Sequence, residues 1–184
     1  MIKTLLLLVL AALVLLLAFA ATRPDTFRVE RSTRIAATAE RVFPLIADLR
    51  AFNTWNPYAR KDPSMSTQFT GPASGPGARL DFSGNKAVGK GRITVTGTAA
   101  PSEVTMQLDM FEPFEGHNTV VFSLVPQGAD TRVIWAMHGP SAFITKLMGL
   151  FWDMDQMIGQ DFEAGLANLK ALAEKNQSLL LTPS

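Results

Sequence analysis

The chain has 184 residues, 47% of them hydrophobic and 18% charged, with a formal net charge of +1 and no cysteine. That is the length of one domain plus a short targeting segment, and the composition is that of a folding chain, not a disordered one. The small net charge supplies no global field for nucleic acid. The lack of cysteine excludes disulfides, thiolate nucleophiles, zinc ribbons and iron–sulfur clusters.

Lys3 precedes an apolar run from Leu5 to Ala21. As a helix these residues span roughly 25 Å, just short of the ~30 Å hydrocarbon core, and Thr4 and Thr22 complete the crossing. Two readings of residues 1–22 compete. One is an uncleaved transmembrane anchor. The other is a signal peptide with Ala18-Phe19-Ala20 as cleavage site, which would release a secreted protein. The anchor is favoured, because the run exceeds the usual signal core and polar chain starts at once at Thr22-Arg23-Pro24. The expectation is a single N-terminal membrane helix carrying a domain on the periplasmic or extracytoplasmic side. A folding domain translocates regardless of flanking charge. Arg23, Arg28, Arg31 and Arg34 are read as the charged outer face of a strand in preference to a lipid-headgroup site.

From Phe27 to Ile35 side chains alternate as in a strand. Thr38 is expected to cap a helix from Ala39 to about Arg50, with Val42, Phe43, Leu45, Ile46 and Leu49 as its buried face and Pro44 as a kink. A turn leads to Trp55-Asn56-Pro57, and a short strand is expected at Met65–Phe69. Further strands are predicted at Ala78–Phe82, Gly89–Thr98, Glu103–Phe111, Thr119–Pro126 and Thr131–Gly139, separated by turns such as Ser83-Gly84-Asn85 and Ala100-Pro101-Ser102. Their short spacing implies an antiparallel meander. A short helix at Phe143–Met148 ends at Gly149. Leu147, Phe151, Met154, Ile158, Phe162, Leu166, Leu169 and Leu172 then recur three or four apart, the signature of one long amphipathic helix. Gly159 and Gly165 cost helix propensity there, which close packing on a sheet would justify. The domain is expected over residues 23–176, with a flexible tail over 177–184.

Chemistry has few carriers. His117 is placed in a loop and His138 at a strand end. Neither belongs to an HExxH pair, and no ligand spacing points to a metal. Gly139-Pro140-Ser141-Ala142-Phe143 lacks the last glycine of a nucleophile elbow, and Gly89-Lys90-Gly91 lacks the Ser or Thr of a P-loop. No catalytic residue, metal or cofactor is therefore assigned.

A set of motifs in fixed order is more specific than any one of them. It comprises Val29-Glu30-Arg31-Ser32, Ala39-Glu40-Arg41-Val42-Phe43 leading to Asp48, Trp55-Asn56-Pro57, and Gly71-Pro72 with Gly75-Pro76-Gly77-Ala78. It continues with Gly84-Asn85, Val88-Gly89-Lys90-Gly91, Pro113-Phe114 and Thr131-Arg132-Val133-Ile134-Trp135 with Gly139. It closes with Met154-Asp155, Ile158-Gly159, Asp161-Phe162-Glu163, Gly165-Leu166 and Leu169-Lys170. From Phe27 to Lys175 the chain thereby resembles the SRPBCC superfamily (START/Bet v 1-like, polyketide cyclase/dehydrase and lipid-transport type). The resemblance implies an α+β helix-grip fold, a curved antiparallel sheet wrapped around a long C-terminal helix with a hydrophobic pocket between them. Members of that superfamily include carriers, receptors, cyclases and hydrolases, so the fold alone does not select a function.

Candidate pocket residues are the apolar faces of the strands and the long helix: Trp55, Phe82, Met106, Leu108, Met110, Val133, Trp135, Met137, Phe151, Met154, Ile158 and Phe162. The eight methionines, one of them the initiator, suit a lining that adapts to varied chains. Arg79, Asp81, Arg92 and His138 are candidate polar groups at its rim. The expected partners are a hydrophobic small molecule or lipid and, through the first helix, a membrane. The leading expectation is a membrane-tethered binder or carrier. The alternatives are a cyclase- or hydrolase-type enzyme using the same cavity, and an interaction module whose cavity is filled by its own side chains.

Overall fold

The computed structural model describes residues 2–150 and 153–180. Helix α1 (Ile2–Ala21) is about 30 Å long, enough to cross a bilayer. A signal sequence has the same length and position. The rest is a seven-stranded, wholly antiparallel sheet with helices on one face. Its strands are β1 (Thr26–Ile35), β2 (Ser66–Thr70), β3 (Arg79–Ser83), β4 (Lys90–Ala99), β5 (Glu103–Glu112), β6 (Gly116–Gln127) and β7 (Asp130–Pro140), in the order β1-β7-β6-β5-β4-β3-β2. The first strand therefore closes against the last, and consecutive hairpins supply the rest. A register shift between Val95 and Gly97 puts an extra residue in β4 opposite β5, a bulge that bends the strand.

Between β1 and β2 the chain forms three short helices, α2 (Ala39–Ala47), α3 (Leu49–Trp55) and α4 (Pro57–Lys61). The single kinked helix expected from Ala39 to Arg50 is two helices. Asp48 leaves helical geometry, with φ −88° and ψ 113°, and its carboxylate accepts from the Arg50 and Ala51 amides, so it caps a new helix. The turn expected around Trp55-Asn56-Pro57 starts another, with Asn56 Oδ1 accepting from the Tyr58 amide and Pro57 in the first turn, where its missing N–H costs nothing. Thr38 occupies the cap position of α2, but its hydroxyl bonds no helix amide.

After β7, α5 (Phe143–Met148) is separate from α6 (Met154–Leu180). Asp153 starts α6, its carboxylate accepting from the Gln156 amide at 2.9 Å. Three side chains fix α6 across β1 and the residue that follows it. Arg31 bonds the Asp155 and Glu163 carboxylates at 2.8 and 2.9 Å, Lys170 Nζ donates to the Arg34 carbonyl at 2.7 Å, and Glu174 accepts from the Ala36 amide at 2.8 Å. Gly159 leaves the space that the Arg31 guanidinium occupies. At Gly165 a Cβ would lie 2.6 Å from Trp135 Cζ3 and 2.9 Å from Pro57 Cδ. Both glycines are thus explained by close approach. Residues 181–184, the end of the expected tail, lie outside the described residues, and α6 extends past Gln177 to Leu180.

The core lies between sheet and helices, and its centre is aromatic. Phe122 and Trp135 of the sheet and Phe52 and Trp55 of α3 form a cluster of edge-on and tilted ring pairs, with centroids 4.8–6.2 Å apart. Phe162 of α6 stacks on Trp135 at 4.2 Å. Such pairs add ~0.5–1.5 kcal/mol each to the stabilisation from burial.

Candidate functional site: a cavity under the helix

Strand alternation turns one face of the sheet toward the helices, and at one end of the molecule that face is not filled. A cavity of about 420 Å³ lies there. Its floor is made by buried side chains: Phe52, Leu80, Met106, Val120, Trp135 and Phe162. Leu108 and Met110 of β5, Ile93 of β4 and Phe82 of β3 form one wall; Met137, Met154 and Ile158 form another. Gly91 makes this wall possible, because a Cβ there would lie 2.7 Å from Phe82 Cζ and 3.1 Å from Met110 Sδ.

Of the twelve side chains expected to line a pocket, the structure brings nine together here: Phe82, Met106, Leu108, Met110, Trp135, Met137, Met154, Ile158 and Phe162. Trp55 and Val133 are not on the wall. Trp55 is 1% exposed in the filled core, its indole N–H held by the Leu45 carbonyl at 2.8 Å, and Val133 is fully buried there. Phe151 lies outside the described residues.

The expected polar rim is on the other side of the sheet. Leu80 and Phe82 point into the cavity, so Arg79 and Asp81, each one residue away, point out. Asp81 accepts from Arg79 Nε and from Arg92 Nε of the paired strand, both at 2.7 Å. Partial removal from water raises the pKa of this carboxyl, but the two guanidinium groups outweigh it and hold the group below the usual range. The trio is a surface clamp across β3 and β4. His138 alternates with Met137 and likewise leaves the cavity wall, its Nδ1 buried without a partner. His117, expected in a loop, belongs to β6, which begins three residues earlier than the alternation suggested. It pairs with Asp109 of β5, and its Nδ1 lies 2.7 Å from the Asp109 carboxylate. That bond lifts the imidazole pKa above its ordinary value.

The polar groups that do reach the cavity are others: Asn53, Asn56 and Tyr58 from the α3–α4 region, Asn118 on β6, Thr145 on α5, and Lys86 and Glu115 in loops. Burial first, then the charge of the Asp161 carboxylate and a hydrogen bond to it, push the Tyr58 phenol pKa well up, so the phenol stays neutral with its one O–H engaged by Asp161. Asn118 had a signal in the sequence: it continues the inward series Val120, Phe122, Leu124 at spacing two. The α3–α4 residues had none while that segment read as a turn. Asp62 braces this side. Its buried carboxylate accepts from Ser64 Oγ at 2.6 Å and from the Asn85 amide at 2.7 Å, tying the start of β2 to the β3–β4 loop. The Ser64 bond, then the Asn85 bond, keep its pKa low. Among the described residues no cluster of three His, Asp or Glu side chains is placed to hold a metal.

The family model for polyketide cyclase/dehydrase and lipid transport matches residues 26–174, the whole sheet and most of α6. The chain belongs to that family. Its membership accords with an apolar cavity between sheet and helix and suggests hydrophobic-ligand binding. Solved structures agree on the fold. A protein from Thermobifida fusca is 20% identical over 80% of this chain and 93% of its own, with a TM-score of 0.60. Ara h 8.0201 is 8% identical over 82% and 99%, at 0.58. The di-domain ARO/CYC StfQ from the steffimycin biosynthetic pathway is 10% identical over 83% of this chain and 52% of its own, at 0.60. At these identities the likeness concerns the fold, a helix-grip arrangement. No curated protein matches the chain.

Proposed function

We propose that this family member is a membrane-tethered binder or carrier that holds one hydrophobic, lipid-like molecule in the cavity under α6. The single observation behind it is the cavity itself: about 420 Å³ within the ~300–1,000 Å³ of small-molecule sites, apolar on its floor and walls, with a few amide and phenol groups at one side. The methionines supply a surface that adapts to chains of different shape. Neutral Asn and Tyr groups suit a hydroxyl, carbonyl or ester end better than a bare charge, because a buried charge needs a partner. Helix α1 keeps the cavity where apolar molecules concentrate.

The test is titration of the full-length protein in detergent micelles with the methyl ester of a pyrene-labelled fatty acid, alongside Leu108→Trp, which projects a larger ring into the cavity. The expected outcome is saturable binding at one probe per chain, weakened about ten-fold or more in the variant by overpacking of the site. Equal binding by both proteins, at unchanged melting temperature, would place the probe elsewhere and remove the support for the cavity as the site.

A further inference from the structure

The lining residues also tell where the cavity opens. Its buried residues mark the floor, and its exposed ones, Lys86 and Ala87, Pro113 to Glu115, Pro140 and Ala142, mark the mouth. The mouth is therefore framed by the β3–β4 loop, the β5–β6 hairpin tip and the β7–α5 connection. Helix α1 leaves the domain at this same end. Only about four residues separate Ala21 from β1, a reach of at most ~14 Å. That link is pinned to the frame of the mouth. The Ser141 amide donates to the Asp25 carbonyl at 2.7 Å, and Lys146 of α5 bonds the Asp25 carboxylate. Ala20 is buried, whereas the rest of α1 stands almost wholly clear of the domain.

The mouth is also where large apolar side chains are left uncovered. Outside α1, the described residues with exposed large hydrophobic side chains are Phe111, Phe114, Val125, Phe143 and Met157. Phe114 lies at the hairpin tip, Phe143 starts α5 and Met157 lies in the first turn of α6; Phe111 alternates with Met110 and so faces the other side of the sheet, under the Arg92 guanidinium. Val125 sits at the opposite end of β6, near its turn into β7. A second groove of about 220 Å³ lies beside the α1 exit, lined in part by Arg23, Pro24 and Lys146, and shares Phe27, Thr145, Met154 and Ile158 with the ligand cavity. Clustering of exposed apolar groups marks an interaction surface, where scattered ones would not.

We infer that the mouth of the cavity docks on the surface of the bilayer that holds α1, with Phe114, Phe143 and Met157 seated in its interface, so that the ligand passes between membrane and cavity without crossing water. The inference rests on the reading of α1 as a membrane anchor. Interfacial apolar groups sit ~5–10 Å into the headgroup–acyl boundary, a depth that side chains of this size reach.

The absence of native cysteine makes single-cysteine labelling clean. Full-length Phe114→Cys, Phe143→Cys, Met157→Cys, Val125→Cys and Leu10→Cys, each carrying an NBD fluorophore, are reconstituted into phosphatidylcholine–phosphatidylglycerol vesicles. Quenching is measured with doxyl groups high or deep on the acyl chain. The expected result is that the three rim labels shift to the blue and are quenched by the shallow doxyl about two-fold or more beyond the Val125 label, with the Leu10 label quenched by the deep one. Rim labels as water-exposed as Val125, with Leu10 still quenched, would overturn the docking and leave the anchor standing. An unquenched Leu10 label would overturn the anchor, and the docking with it.

Discussion

The two halves of α6 present the same apolar periodicity to the same sheet and meet different surroundings. In the second half Leu166, Leu169 and Ala173 are 2%, 0% and 4% exposed, and Lys170 and Glu174 tie that half to the end of β1. In the first half Met154 and Ile158 are half-buried and face a void, with Phe162, stacked on Trp135, as its floor. One half is stabilised by contacts within the chain. The other leaves contact surface unused, and a missing partner atom forfeits dispersion energy outright. The proposed ligand would supply the contacts that this half lacks.

The sharpest contrast is between matched truncations. Leu169→Ala should cost about 3–5 kcal/mol in chemical denaturation, because a fully enclosed side chain leaves both a transfer loss and a cavity. Ile158→Ala should cost about 1 kcal/mol, since its neighbourhood is already open and little new void is made. Equal costs would mean that the two halves are equally filled. Next in size is Gly165→Ala. Helix propensity gains ~1 kcal/mol, yet the new methyl meets Trp135 and Pro57, so a net loss of about 1–3 kcal/mol is expected. A stabilised variant would show that the filled half is looser than its distances indicate.

Smaller is the clip over the first half. Arg31→Ala removes two ion pairs whose carboxylates are largely exposed, and should lower stability less than either packing change, and less again in high salt. Smallest are the pH effects. The Asp109 carboxylate raises the His117 pKa in the folded state. That contribution is complete below the ordinary value of 6.5 and is lost as pH rises through the folded-state value, and His117→Gln should flatten this part of the melting profile. Asp155, held low first by its bond to Arg31, acts in the opposite sense. Its contribution is complete above the ordinary 3.8 and fades as pH falls through the folded-state value, and Asp155→Asn should remove it.

Much of this architecture is legible in the residues. Alternation locates the strands, Gly, Pro and Asn mark most hairpins, and the spacing of Leu166, Leu169 and Leu172 marks α6. The inward faces follow from parity, which is why nine expected lining residues meet. The same parity sets Arg79 and Asp81 outside once Leu80 and Phe82 are inside, so a polar side chain near a pocket in sequence is no guide to its rim. Two features carry no local signal. Whether an apolar face is filled or hollow depends on the distance between sheet and helix, which Val133 and Met137, two turns of the pleat apart on β7, do not reveal. The break at Asp48 arises because its carboxylate finds amides to cap, a competition that apolar periodicity does not register.

The central claim, an open cavity that holds one hydrophobic molecule, is most directly tested by native mass spectrometry of the full-length protein released from lipid nanodiscs. The expected spectrum shows the chain plus one reproducible small mass, lost on denaturation and absent from Leu108→Trp. A chain that carries no extra mass, and takes none up from a total lipid extract, would contradict it.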